Sequence, residues 1–332
     1  MAIARGVLVG IGACLSVSLS SLAGAQVLET AMTIAWAEGP VVDAAGNVYV
    51  SDVRTDRIMR LGADGSLSTF RFPANNPNGM VIDRAGRLVV CESGDPRSGK
   101  PPRITRTDLA TGREETLVDN FEGLRIKAPN DITIDGQGRL YFTSDERPFF
   151  LPQFSTAGVP GVPAREVPVV GVYRIDVDGK VRRILEAPRI HRPNGIMLSP
   201  DDRTLYLIEN DIAQGGLRQL LAFDLAQDGF VGAKRLLRDF SPGRSGDGMA
   251  IDVEGNLYVA AGLNALRGTQ ETLDTRAGIH VLSPDGASLR FIPVPEDTVS
   301  NIAFGGADMK TAYVTAGKTI FKFRNDIAGL PR

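Results

Sequence analysis

Short apolar runs recur along this chain, each preceded by one polar residue and closed by a tight turn. The clearest copy is Arg192-Pro193-Asn194-Gly195-Ile196-Met197-Leu198-Ser199-Pro200-Asp201-Asp202, followed by Thr204-Leu205-Tyr206-Leu207-Ile208. It reads as a polar lead, an apolar strand, a turn and a second apolar strand. Glu38-Gly39-Pro40 leads in the same way to Asp43-Ala44-Ala45-Gly46 and Val48-Tyr49-Val50. Asn78, Asn130, Asp247 and Asn301 lead to turns at Asp83, Asp135, Asp252 and Gly306, then to apolar runs at Leu88, Leu140, Leu257 and Ala312. The six leads are 40, 52, 64, 53 and 54 residues apart, and the turn begins five residues after the lead in every copy. So constant a short interval marks a strand hairpin, because turn geometry sets hairpin register.

Repeats of this length made of short strands imply an all-β, six-bladed β-propeller with four-stranded antiparallel blades. Outer hairpins turn at Asp64-Gly65, Thr111-Gly112, Asp178-Gly179, Asp228-Gly229 and Asp285-Gly286, where Gly supplies the positive-φ position. The sixth unit stops after Thr319-Ile320-Phe321-Lys322-Phe323 without a return strand. The segment 27–34 is expected to supply it, so that pairing the N-terminal strand with the last blade closes the ring and removes a sheet edge.

Residues 1–25 read as a cleaved signal peptide: Arg5, an apolar run, then Ala23-Gly24-Ala25 before Gln26. A periplasmic or secreted protein is expected, with a lipid anchor at Cys14 as the weaker alternative. No later stretch is apolar enough to span a bilayer. Removing 25 residues from 332 leaves 307 and shifts the net charge from −2 to −3, since Arg5 is lost. That length suits one propeller domain over 26–332. Charges of both signs are scattered, which argues against a nucleic-acid partner. The mature chain keeps only Cys91, which continues an apolar strand and reads as packing. Two segments break the regular spacing, 94–103 and 145–171. The second carries Phe149, Phe150 and Phe154 and reads as a binding rim or a surface excursion.

The innermost strands of a propeller line its channel, so equivalent positions converge there. All six leads are Glu, Asp or Asn, a ring of oxygen donors above apolar strands, with no matching ring of Lys or Arg in the repeats. Buried carboxylates need a partner. One divalent cation fits, Ca²⁺ first because it accepts carboxylate and amide oxygens together, with Zn²⁺, Mg²⁺ or Mn²⁺ as alternatives. Taken singly, Asn-Gly and Asp-Gly are also common turn formers; the constellation carries the signal.

At these residues the chain resembles the gluconolactonase / senescence-marker-protein / luciferin-regenerating-enzyme family of six-bladed propeller hydrolases. The resemblance spans about 37–323. It rests on Glu38-Gly39-Pro40, Ala128-Pro129-Asn130-Asp131 with Leu140-Tyr141-Phe142-Thr143, Arg192-Pro193-Asn194-Gly195, Gly246-Asp247-Gly248-Met249-Ala250 and Asn301-Ile302-Ala303-Phe304-Gly305-Gly306. It implies metal ligands at Glu38, Asn194 and Asp247, with Asn130 as a further ligand or a contact to substrate and water, and Asp247 as general base. Contacts to a small-molecule substrate are expected from Asn78, Glu92, Asp131, Arg192 and Asn301. The activity implied is metal-dependent hydrolysis of a small polar lactone. The alternatives are hydrolysis of another electrophilic ester, such as an organophosphate, or a non-catalytic binding propeller with a structural metal. The chain departs from many relatives at Thr143-Ser144-Asp145-Glu146-Arg147-Pro148-Phe149-Phe150 and at Val42. Both departures fall near the expected pocket rim and bear on the substrate.

Overall fold

A computed structural model describes residues 27–95, 99–145 and 170–332. Six four-stranded antiparallel sheets form a propeller. The first described strand, β1 (Glu29–Thr33), belongs to the last blade. Blade one is β2 (Ala37–Val42), β3 (Val48–Asp52), β4 (Arg57–Leu61) and β5 (Leu67–Arg71). Blade two is β6 (Pro77–Ile82), β7 (Leu88–Glu92), β8 (Arg103–Thr107) and β9 (Glu114–Val118). A two-stranded ribbon, β10 (Asn120–Phe121) and β11 (Leu124–Arg125), precedes blade three: β12 (Pro129–Ile134), β13 (Leu140–Ser144), β14 (Gly171–Ile175) and β15 (Val181–Leu185). Blade four is β16 (Pro193–Leu198), β17 (Thr204–Asn210), β18 (Arg218–Leu225) and β19 (Val231–Asp239). Blade five is β20 (Gly246–Ile251), β21 (Leu257–Ala261), β22 (Gly278–Leu282) and β23 (Ser288–Pro293). Blade six is β24 (Val299–Gly305), β25 (Thr311–Ala316) and β26 (Thr319–Arg324), completed by β1. Among the described residues the only helix is a short 3-10 turn at Val53–Thr55, and no helix is long and apolar enough to cross a membrane.

Burial follows position in the blade. The second strands β3, β7, β13 and β21 are buried at every residue. They lie between neighbouring blades, so both faces must be apolar and the run is continuous rather than alternating. The outermost strands β5 and β9 are largely exposed. The repeated Asp-x-x-Gly turn has a specific construction. Asp43, Asp83, Asp135 and Asp252 each accept two backbone N–H groups from the turn, and the Gly that follows sits at φ between 75° and 86°. Tyr49, Tyr141 and Tyr258 donate their hydroxyls to the same Asp43, Asp135 and Asp252 at 3.3, 3.1 and 3.1 Å. The tyrosine of the repeat therefore packs the core and locks the turn before it.

Ring closure is as expected from the sequence. β1 pairs antiparallel with β26, placing Glu29 opposite Lys322 and Thr33 opposite Thr319. Met32 is buried against Ile320, Ala37 and Val48. Residues 325–332 were not anticipated as structure. They cross the end of the channel, where Leu330 N–H donates to Ile251 O at 2.9 Å. The guanidinium of Arg332 donates to Leu198 O and Ser199 O at 2.6 Å and to Ile134 O at 3.1 Å.

Candidate functional site

The innermost strands β2, β6, β12, β16, β20 and β24 touch in sequence around the channel. Each carries one extra residue against its partner strand, and the shift falls at or next to the lead residue. A bulge re-aims a side chain and ends regular pairing, so regular pairing breaks off around the leads at the end of the channel away from Arg332. Glycine after the lead serves close packing between blades. A Cβ on Gly195 would fall on the carbonyl of Asp247, and one on Gly248 would fall on the side chain of Asn301.

Every blade junction is tied by a side chain donating to the backbone of a neighbouring inner strand. Ser51 donates to Asn78 O at 2.6 Å, Ser93 to Pro129 O at 3.0 Å and Thr143 to Asn194 O at 2.8 Å. Asn210 donates to Gly246 O at 3.0 Å, Arg244 to Val299 O at 2.9 Å and Ser300 to Ala37 O at 2.8 Å. These bonds fix the backbone carrying the leads, and satisfying buried carbonyls this way avoids about 1–3 kcal/mol each.

The centre of the site is a set of acids. Asn194 is buried, and its Nδ2 donates to Asp247 Oδ1 at 2.5 Å. Arg244 is buried as well and donates to Asp247 Oδ2 at 2.5 Å. Burial, then the nearby charges of Asp247 and Asp131, push the Glu38 carboxyl well above the usual carboxylate range, with Arg244 acting the other way. Burial pushes Asp131 up to about 7, with Asp247 adding to the shift. The N–H of Ile196, 3.1 Å from Asp131 Oδ2, opposes it, as does Asn301. Asn301 comes from the blade facing Asp131 across the ring, so these groups meet over the channel. Asn78 and Asn130 are half-buried members of the same ring, and their side-chain amides make no hydrogen bond to another described residue.

Two expected substrate contacts lie apart from this centre. Glu92 is fully buried inside blade two, accepting from Arg71 and Arg103 at 2.7 Å, Asn75 at 3.0 Å and Thr105 at 2.6 Å. Arg192 sits at the rim between Asp211, at 3.2 Å, and Asp145, at 3.6 Å. Its backbone N–H and that of His191 are held by Glu209. Cys91 is fully buried, and burial pushes its thiol up. Cys14, the 1–25 segment, Phe149, Phe150 and Phe154 lie outside the described residues. Arg244 was missed from the sequence because it stands three residues before a lead, outside the repeated unit.

Below the leads lies a cavity of about 120 Å³, lined by Met80, Ile132, Met197, Met249, Ile302 and Phe304 among others. It ends at Leu330 and Arg332. A larger open groove of about 560 Å³ runs beside Trp36 and Lys318 where blades six and one meet, and none of the converging acids lines it. Among the described residues no three Asp, Glu, His or Cys side chains form a metal cluster by themselves. A cation here would take amide oxygens along with carboxylates. Glu38, Asn130, Asn194 and Asp247 supply that mixture, which suits a hard divalent ion. Burial and nearby acids push the Glu38 and Asp131 carboxyls up, and a cation entering the ring would favour their ionised forms.

Fold and site together define a six-bladed propeller with a carboxylate–amide oxygen centre at one mouth of its channel. The chain belongs to the SMP-30/gluconolactonase/LRE-like family, whose sequence model matches residues 36–318. It is 29% identical over 321 residues to a gluconolactonase of Zymomonas mobilis, covering 90% of this chain and 81% of the relative. It is 28% identical over 276 residues to a 6-deoxy-6-sulfogluconolactonase of Pseudomonas putida, covering 82% and 79%. The solved structure of a Xanthomonas campestris gluconolactonase superposes with a TM-score of 0.71 at 28% identity, covering 90% of this chain and 89% of that one.

Proposed function

We propose that this protein hydrolyses a small, polar, sugar-derived lactone to its hydroxy acid at the mouth of the propeller channel. The observation that carries this is the grouping of Asp247 and Asn194 with Glu38 and Asp131 in a chain whose relatives include a gluconolactonase and a 6-deoxy-6-sulfogluconolactonase. Glu38, Asn130, Asn194 and Asp247 would hold one divalent cation, Ca²⁺ first. When bound, it supplies Lewis acidity for a carbonyl oxygen and charge stabilisation as that oxygen becomes anionic.

The residues of the chain do the rest. Asp247 takes a proton from water as the water oxygen attacks the lactone carbonyl carbon. The ring C–O bond then breaks, and the same proton passes to the departing alkoxide, giving one hydroxy acid per water consumed. Asn194 fixes Asp247 through Oδ1, and Thr143 fixes Asn194 through its carbonyl. Asn78 and Asn301, from the ring of lead residues, would contact substrate hydroxyls around this centre, and Arg192 would contact them only at the rim. Steady-state hydrolysis of sugar lactones by wild type and Asp247→Asn tests the assignment, and retained activity in the variant would remove Asp247 from the chemistry.

Export completes the proposal: residues 1–25 direct the chain across the membrane and are removed before Gln26, leaving β1 intact. The N-terminal mass of protein recovered from the periplasm or medium tests this, and a species starting at Met1 would contradict it.

A further inference from the structure

The structure assigns Arg244 a role beyond holding the fold, resting on the cation site proposed above: it is the built-in counter-charge of that site and competes with the cation for Asp247. Arg244 comes from the segment entering β20 and is 3% exposed. One terminal nitrogen lies 2.5 Å from Asp247 Oδ2 and the other 2.9 Å from Val299 O. The guanidinium is therefore spread between the one acid that also binds Asn194 and the backbone of the next blade.

Charge decides what it does there. Arg244 is ion-paired with Asp247, and Asp131 lines the channel cavity. Arg267, the next guanidinium, is already engaged by Thr298 at 2.8 Å and Glu271 at 3.4 Å. Without Arg244, the empty site would leave the Asp247 carboxylate beside Glu38 and Asp131 with no cation against it, a buried charge without its partner. With Arg244 present, a divalent ion entering the ring meets a fixed like charge across Asp247, buried where water screens it poorly. Arg244 thus keeps the empty site folded at the cost of weakening the filled one. Asp247 does not depend on Arg244 alone for its position, because Asn194 holds its other oxygen. A loss of ligand orientation, the usual result of removing an outer-shell partner, is for that reason smaller than the gain from removing the charge.

Isothermal titration of the full mature chain with Ca²⁺, paired with thermal melts in chelator, tests this. Arg244→Met should bind Ca²⁺ at least tenfold more tightly than wild type and melt lower once chelated, so that its melting temperature depends more steeply on Ca²⁺. Arg244→Lys, which keeps the charge, should stay near wild-type affinity. If Arg244→Met does not fold, Arg244→Gln, which keeps a donor for Val299 and removes the charge, carries the same expectation. Equal or weaker Ca²⁺ binding by the folded neutral variant would overturn the role of Arg244. Asp247→Asn separates the two claims. If that change leaves Ca²⁺ affinity intact, the cation site itself is misplaced. If it abolishes binding while the neutral Arg244 variants bind no tighter, only the counter-charge role fails.

Discussion

Asn194 and Asp247 lie 53 residues apart in the chain and meet at 2.5 Å across a blade junction. The amide hydrogen has one acceptor there, Asp247 Oδ1, so the amide oxygen of Asn194 is turned away from Asp247. Asn194→Leu removes both the hydrogen bond and the oxygen while filling similar volume. It should lower lactone turnover by more than tenfold with little change in melting temperature. Asp247→Asn should lower kcat by ~10²–10⁴, the range for a positioned general base. Parallel kinetics and thermal melts check both, and equal losses of stability and activity would point to unfolding instead.

The glycines after the leads should be intolerant. Gly248→Ala places a Cβ on Asn301, and the contact is with a side chain of the site. The expected cost is about 1–3 kcal/mol from overpacking, with loss of activity exceeding loss of stability. Gly65→Ala, in an outer turn at φ 84° with open space around it, should cost only the left-handed backbone strain and leave activity unchanged. Denaturant melts and initial rates distinguish the two.

Ring closure depends on β1. Met32 is 5% exposed and packs on Ile320 and Val48. Met32→Ala should destabilise by about 2–5 kcal/mol, as for other buried Met truncations. Hydrogen exchange should then speed up first in β26, the strand that β1 covers. Uniform exchange in all blades would argue against a local closure.

His280 gives the fold an acid-side sensitivity separate from the site. It lies between Phe240 and Phe291, at ring-centroid distances of 6.1 and 4.9 Å, and its Nε2–H donates to Arg276 O at 3.0 Å. Burial holds its pKa below the usual value, helped by Arg238 and Arg276. The unfolded chain therefore takes up a proton first as pH falls below ~6.5. The contribution is fully present above that pH and is lost as pH falls toward the folded pKa. His280→Gln should flatten the fall in melting temperature below pH 6.5, and an unchanged slope would contradict this.

The six leads and the Asp turns were legible because hairpin register ties them together at a fixed interval. The role of the tyrosines was not, since Tyr49 and Tyr258 look like ordinary strand residues until the turn carboxylates are placed beneath their hydroxyls. Glu92, expected among the substrate contacts, is fully buried inside blade two. Arg71 and Arg103, distant in sequence, turn it into the blade. Asn-Gly and Asp-Gly taken singly also fit turns, and at Gly195 and Gly248 the need is room for the next blade. Arg244 and the channel-closing Arg332 sit outside any repeat, so periodicity carried no signal for them.

The most direct test of the central claim is hydrolysis of sugar, aliphatic and aromatic lactones by the mature protein. Rates are taken as purified, after chelation, and after separate return of Ca²⁺, Mg²⁺, Mn²⁺ or Zn²⁺. Hydrolysis of a sugar lactone that is lost on chelation and restored by one of these cations, Ca²⁺ first, is the predicted result. A folded protein that hydrolyses no lactone with any of them, or whose rate is indifferent to chelation, would contradict it.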